Sequence, residues 1–108
     1  MDAQFTLGHM YFKGDGIPRS YNEAVALWQK SADQGHAAAQ YSLGVMYVEG
    51  KGVIQDYLLS HMYSNLAASQ GRENADHNRD AVALRMTSEQ IAKAQQMARE
   101  WVDRHPSE

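Results

Sequence analysis

The chain contains no cysteine. Disulfide staples and thiolate zinc sites are thereby excluded. Proline occurs twice, at Pro18 and Pro106, so long stretches carry no helix breaker. No apolar run approaches the roughly 20 residues that a membrane span needs. No Lys/Arg run exceeds two residues, and the net charge is −3. A nucleic-acid partner is not expected, because phosphate recognition needs concentrated positive charge. The start, MDAQFTLGHM, lacks a basic region followed by an apolar one, so it does not read as a signal peptide. Met1 and Asp2 abut repeat material directly, as in a piece of a longer protein. The chain as given is expected in the cytoplasm, or in the periplasm or outside the cell if an upstream signal peptide was removed.

What is present is ordinary globular material. At 108 residues the length suits one domain. Such a chain hides about two-thirds of its unfolded surface, a modest core. The organising feature is an internal repeat, which should be sought first. LGHMYFKGDG, from Leu7 to Gly16, returns 36 residues later as LGVMYVEGKG, from Leu43 to Gly52. The match extends to Ala3/Ala39, Gln4/Gln40, Tyr21/Tyr57, Ala32/Ala68, Gln34/Gln70 and Gly35/Gly71. The chain therefore divides into unit 3–36, unit 37–72 and a degenerate segment 73–105 within one domain, 1–108.

Each unit predicts two helices. Ala3, Leu7 and Tyr11 recur at helical spacing, predicting a helix over 3–13 and another over 37–49. Gly14 and Gly50 stop these helices, because a residue at a helix end often needs positive φ. Ser20-Tyr-Asn-Glu23 predicts a capping box, with the Ser20 hydroxyl on a free N–H and Glu23 reaching back. Asp56 takes the same N-cap place in the next unit. These second helices end near Gln34 and Gln70, before Gly35 and Gly71. Their buried stripes are expected to be Ala24, Leu27, Trp28 and Ala32, then Tyr57, Ser60, Tyr63, Ala67 and Ala68. The mid-helix Gly8 and Gly44 each cost about 1 kcal/mol of helix propensity. They make sense as clearance for a partner helix, with Trp28 or Tyr63 lying on the bare face.

The pattern A-x-x-x-L-G-x-x-Y-x-x-G-x-G-[IV], followed by a helix ending A-x-Q-G, resembles the Sel-one-like repeat. That family is a relative of the tetratricopeptide repeat. The hallmark residues stand at Ala3, Leu7, Gly8, Tyr11, Gly14, Gly16, Ala32, Gln34 and Gly35, and again from Ala39 to Gly71. The last third departs from the pattern. Ala75 keeps its place, but Arg79 and Asp80 replace the leucine and glycine, and no G-x-G loop follows. That segment looks like the closing cap of bacterial members. Its residues predict a helix over about 75–86, then Thr87 capping a long helix through Thr87-Ser-Glu-Gln90. Ile91, Ala94, Met97, Ala98 and Trp101 would form the buried face of that helix. The resemblance implies an all-α fold, a right-handed α/α superhelix of antiparallel pairs closed by a C-terminal capping helix pair. A terminal unit with one polar face keeps such a stack soluble.

The resemblance also implies a scaffold that holds a protein or peptide on its concave face, with no catalytic apparatus and no cofactor. On tetratricopeptide geometry the groove-facing residues would be Phe5, His9, Phe12 and Lys13 in the first unit. The second unit would give Tyr41, Val45, Val48 and Glu49, and the third His77 and Arg85. An apolar and aromatic strip with bordering charges suits a peptide with apolar anchors. An alternative is self-association. Ala3, Leu7 and Met10 start a helix with no repeat before it, and that side could pair two molecules.

Enzymatic readings find little support in the residues. Cysteine-rich relatives resemble β-lactamases in reported activity, but their hallmark is a disulfide in each repeat. No serine has lysine three residues on, and no G-x-S-x-G, P-loop or dinucleotide glycine pattern is present. Asp76, His77 and Asp80 stand close enough in sequence to suggest metal ligands, yet they read better as a solvated helix start. His36 and His105 read as helix-end residues.

Overall fold

The computed structural model describes residues 3–106. Six helices account for most of them: α1 Ala3–Lys13, α2 Tyr21–Asp33, α3 Ala37–Glu49, α4 Tyr57–Ser69, α5 Ala75–Ala83 and α6 Ser88–Arg104. The described residues contain no strand. The architecture is the expected all-α solenoid, and α1 to α4 fall where the sequence pattern puts them.

Local chemistry explains the boundaries. The Ser20 hydroxyl accepts from the Glu23 N–H at 3.2 Å, and Asp56 accepts from the Leu59 N–H at 3.0 Å. Only half of the expected box forms at Ser20. Its own N–H is donated to the Tyr11 carbonyl at 2.9 Å rather than to Glu23. The Asp56 N–H goes likewise to the Tyr47 carbonyl at 3.0 Å. This bond ties the end of each first helix to the start of its partner. A complete capping box forms at α6, where Thr87 and Gln90 exchange bonds of 3.1 and 2.9 Å.

The ends follow from glycine. Gly50 has φ 69° and donates to the Met46 carbonyl at 2.7 Å. After α2, Gly35 donates to Ala32 and His36 to Ser31, the paired bonds of a Schellman motif. Gly71 and Arg72 repeat this on Ala68 and Ala67 after α4. Helix α5 stops at Ala83, short of the expected 86. Arg85 and Met86 donate three residues back, to Val82 and Ala83, and these tight turns leave Leu84 in solvent.

Helix α2 packs on α1 and α3, and α4 on α3, so the first four helices stack in order. Both members of the C-terminal pair then pack on α4, each from its own side. Toward α5, Asn65 accepts from Arg79 at 3.1 Å. Toward α6, Leu59, Met62 and Tyr63 line a depression with Met97 and Trp101. Covered on three sides, α4 buries seven residues, including His61, Met62, Ser64 and Leu66, which its expected stripe omitted. Tyr57 and Ala68, expected inside, are only half-buried, as is Leu27 on α2.

The two interior glycines meet different neighbours. A Cβ on Gly8 would stand 2.7 Å from Trp28 Nε1, so the expected Trp28 contact is present. A Cβ on Gly44 would collide with the Ser64 hydroxyl and reach the Ser60 carbonyl at 3.3 Å. Serine, not the expected Tyr63, fills that face. The buried polar groups beside these glycines find partners. Ser60 Oγ donates to the Gly44 carbonyl at 2.6 Å, Asn78 Nδ2 to Ser64 Oγ at 2.6 Å, and Trp28 Nε1 to the Phe5 carbonyl at 3.1 Å. Gln40 links the repeats, donating to the Ala32 carbonyl at 3.4 Å and accepting from Gln70 at 2.8 Å.

Candidate functional site

The candidate site is the groove between α1 and α3. Positions i, i+4 and i+7 share a helix face. Phe5, His9 and Phe12 therefore form one row on α1, and Tyr41, Val45 and Val48 the matching row on α3. Between the rows lies a pocket of about 210 Å³. His9 and Phe12 line it from α1, Trp28 from α2, and Tyr41, Ser42, Val45 and Met46 from α3. Four of the expected groove residues thus meet at one place.

The rings are held in order. Phe12 lies 5.6 Å from Trp28 and 5.5 Å from Tyr21, and His9 stacks 6.2 Å from Phe12. Phe5 and Phe12 are half-buried and pack against the core, so each has a structural duty as well as a place in the row. Trp28 completes the pocket floor; its stripe position had pointed to burial alone. Its indole is held by the bond to the Phe5 carbonyl.

The remaining expected residues do not line the pocket. Phe5 stacks on His36 at 4.9 Å. Val48 is half-buried, and its carbonyl accepts from Gln55 at 2.9 Å. Lys13 and Glu49 are exposed at the C-terminal ends of their helices, and Glu49 pairs with Lys51 at 3.3 Å. His77 lines a separate depression of about 430 Å³ with Arg72, Asp76 and Arg79. Arg85 donates to the Tyr57 hydroxyl at 3.4 Å.

A second regularity links the units. Thirty-six residues relate Phe5 to Tyr41, and the same step relates His36 to Arg72. The His36 ring lies on Phe5, and the Arg72 guanidinium lies 5.6 Å from the centre of the Tyr41 ring. Both second members follow a left-handed glycine, and the Schellman bonds aim them across the neighbouring helix start. His36 also caps α3, its Nδ1 accepting from the Ala39 N–H at 3.2 Å. Arg72 was not singled out by the sequence pattern; its equivalence to His36 was the available signal.

The pocket is mostly apolar. Its lining offers ring faces, a thioether and a branched aliphatic side chain. Ser42 and His9 share the rim, with no hydrogen bond between them. Among the described residues no three His, Asp or Glu side chains gather to hold a metal. Asp76 instead accepts from the His77 N–H at 2.9 Å, and Asp80 pairs with Arg79 at 3.1 Å. Among the same residues no helix is long and apolar enough to cross a membrane. Titration is altered elsewhere in the fold. Burial pushes the Tyr63 phenol up, and burial with the nearby Asp56 does so for Tyr47. Burial and the Arg79 charge hold His61 below its usual value, with Asp80 opposing.

The Sel1 repeat family model matches residues 2–36 and again 37–71. The chain belongs to the Sel1 repeat family. Two solved structures place its fold further. One is a protective antigen of uropathogenic Escherichia coli strains that displays an SLR fold, with TM-score 0.90 and 28% identity. The match covers 95% of the present chain and 22% of that protein. The other is a Sel1 repeat protein from Oxalobacter formigenes, with TM-score 0.71 and 34% identity, covering 73% of this chain and 59% of that one. The chain thus spans less than two-thirds of either. No curated protein matches it. Sel1 repeats are generally protein-interaction repeats and typically non-enzymatic scaffolds. In this Sel1 chain the 210 Å³ pocket sits between the first helices of the two matched repeats.

Proposed function

We propose that this Sel1 chain is a protein-binding module whose concave face, formed by α1 and α3, takes a peptide or protein segment through an apolar anchor. The observation that carries the reading is the pocket itself. It is a ring-lined recess of about 210 Å³, the scale of one large side chain, held open by a tryptophan with a fixed hydrogen bond. Interfaces concentrate their energy in such anchor pockets. The sharpest test is site-directed photocrosslinking in a lysate of the producing organism. A benzophenone side chain at Val45 should give discrete adducts, whereas one at Arg99 on the exposed face of α6 should not. Equal labelling from both positions, or from neither, overturns the reading.

A second reading, self-association through the outer side of α1, is favoured by Leu7 and Met10, which are 40% and 36% exposed. It requires a mass that rises with concentration in sedimentation and falls back in Leu7→Glu. A strict monomer at high concentration sinks it.

A further inference from the structure

Arg72 gives the groove a preference that the pocket alone does not. Its guanidinium lies over the Tyr41 ring, and Tyr41 lines the pocket. Arginine on an aromatic face is held in place and remains free to accept an anion at its edge. Among the described residues Arg72 makes no ion pair, although Glu73 and Asp76 line the same depression. The equivalent place in the first repeat holds His36, whose Nδ1 is committed to capping α3. The cap position of α5 falls instead to Asn74, so the Arg72 side chain has no capping duty. A stacked cation without an ion pair thus lies on the ring of Tyr41, a residue that also lines the apolar recess.

We propose that the groove selects an extended peptide segment with an aromatic or long aliphatic side chain for the α1–α3 pocket and an aspartate or glutamate nearby for Arg72. An extended chain advances about 3.3–3.6 Å per residue, so the acid falls about one to three residues from the anchor. Dispersion and ring contacts supply the affinity. The guanidinium–carboxylate bond sets the register and disfavours basic neighbours. The proposal rests on the groove reading above.

The test is selection of short random peptides displayed on phage against the full chain, with synthetic versions of the winners measured by fluorescence anisotropy. Wild-type protein should enrich Trp, Phe, Tyr, Leu or Met with Asp or Glu close by. Val45→Glu and His9→Glu, which block the pocket from opposite helices, should each abolish binding while circular dichroism stays helical. Arg72→Glu should weaken the acidic peptides about five- to tenfold at low salt, with the gap closing at high salt, and should shift fresh selections toward Lys and Arg. Arg72→Lys, which keeps the charge but not the stacked planar fork, should retain only part of the acidic preference. Peptides that depend on the pocket but show no acidic enrichment, and bind Arg72→Glu equally well, overturn this inference and leave the groove reading intact. Winners indifferent to both pocket variants overturn the groove reading and this inference with it.

Discussion

The two repeats carry the same leucine and methionine in opposite circumstances. Leu43 and Met46 are 0% and 1% exposed, whereas Leu7 and Met10 are 40% and 36% exposed. The difference lies in the neighbours. Helix α3 packs between α2 and α4 and also touches α5, while the packing of α1 is chiefly with α2. The glycine loops show the same contrast. A Cβ on Gly52 would stand 2.7 Å from the Tyr21 carbonyl of the preceding repeat, while a Cβ on Gly16 would meet nothing within 4 Å. Part of the second repeat's core is therefore supplied by the unit before it, as nearest-neighbour stacking requires.

Truncating the shared leucine tests this most strongly. Leu43→Ala should cost about 3 kcal/mol, because it removes a fully buried side chain and leaves a cavity between three helices. Leu7→Ala should cost under about 1 kcal/mol, since much of that surface already meets solvent. Urea denaturation of the two variants reads the gap. Equal losses would mean that α1 is covered in solution by something that α2 does not supply.

Next in size is the loop pair. Gly16 and Gly52 both sit at positive φ, 78° and 73°. Alanine at either position should lose about 1 kcal/mol to left-handed strain. Gly52→Ala must also push against the Tyr21 backbone, which cannot swing aside as a side chain can. Its loss should exceed that of Gly16→Ala by about 1–2 kcal/mol in thermal melts. Matching melts would show that the loop of the second repeat does not bear on α2.

The parts of this fold that were legible in the sequence are those written twice. The recurrence at 36 residues exposed the helix pairs, the glycine stops and the N-caps Ser20 and Asp56, because each copy checks the other. The groove rows came from the tetratricopeptide resemblance rather than from the repeat itself; of their residues, His9, Phe12, Tyr41 and Val45 line one pocket. What was illegible depends on contacts between units. Nothing in Ser64 marks it as the residue opposite Gly44, and Trp28 reads as core before it reads as a pocket floor. The half-formed box at Ser20 depends on the Tyr11 carbonyl, nine residues upstream and across a loop. The degenerate third unit has no second copy to check it, so the early end of α5 and the packing of α6 on α4 came from the structure alone.

The smallest effect probes a place where the copies differ. Val25 of the first repeat corresponds to His61 of the second, and both are buried. His61 is 3% exposed, and its Nδ1 has no hydrogen-bond partner among the described residues. Burial first, and then the Arg79 guanidinium, hold it below its ordinary 6.5, with Asp80 acting the other way. The unfolded chain therefore takes up this proton before the folded chain does. Stability is full above pH 6.5 and declines as the pH falls toward the folded value, by at most about 1.4 kcal/mol per pH unit for one proton. His61→Gln removes that titration and leaves every other acid and base in place. Subtracting its stability profile from the wild-type profile should leave a difference that is flat above neutrality and slopes against the wild type in mild acid. A flat difference throughout would mean that the imidazole reaches water on its own element, and that the α4–α5 contact is looser than the seal Val25 makes in the first repeat.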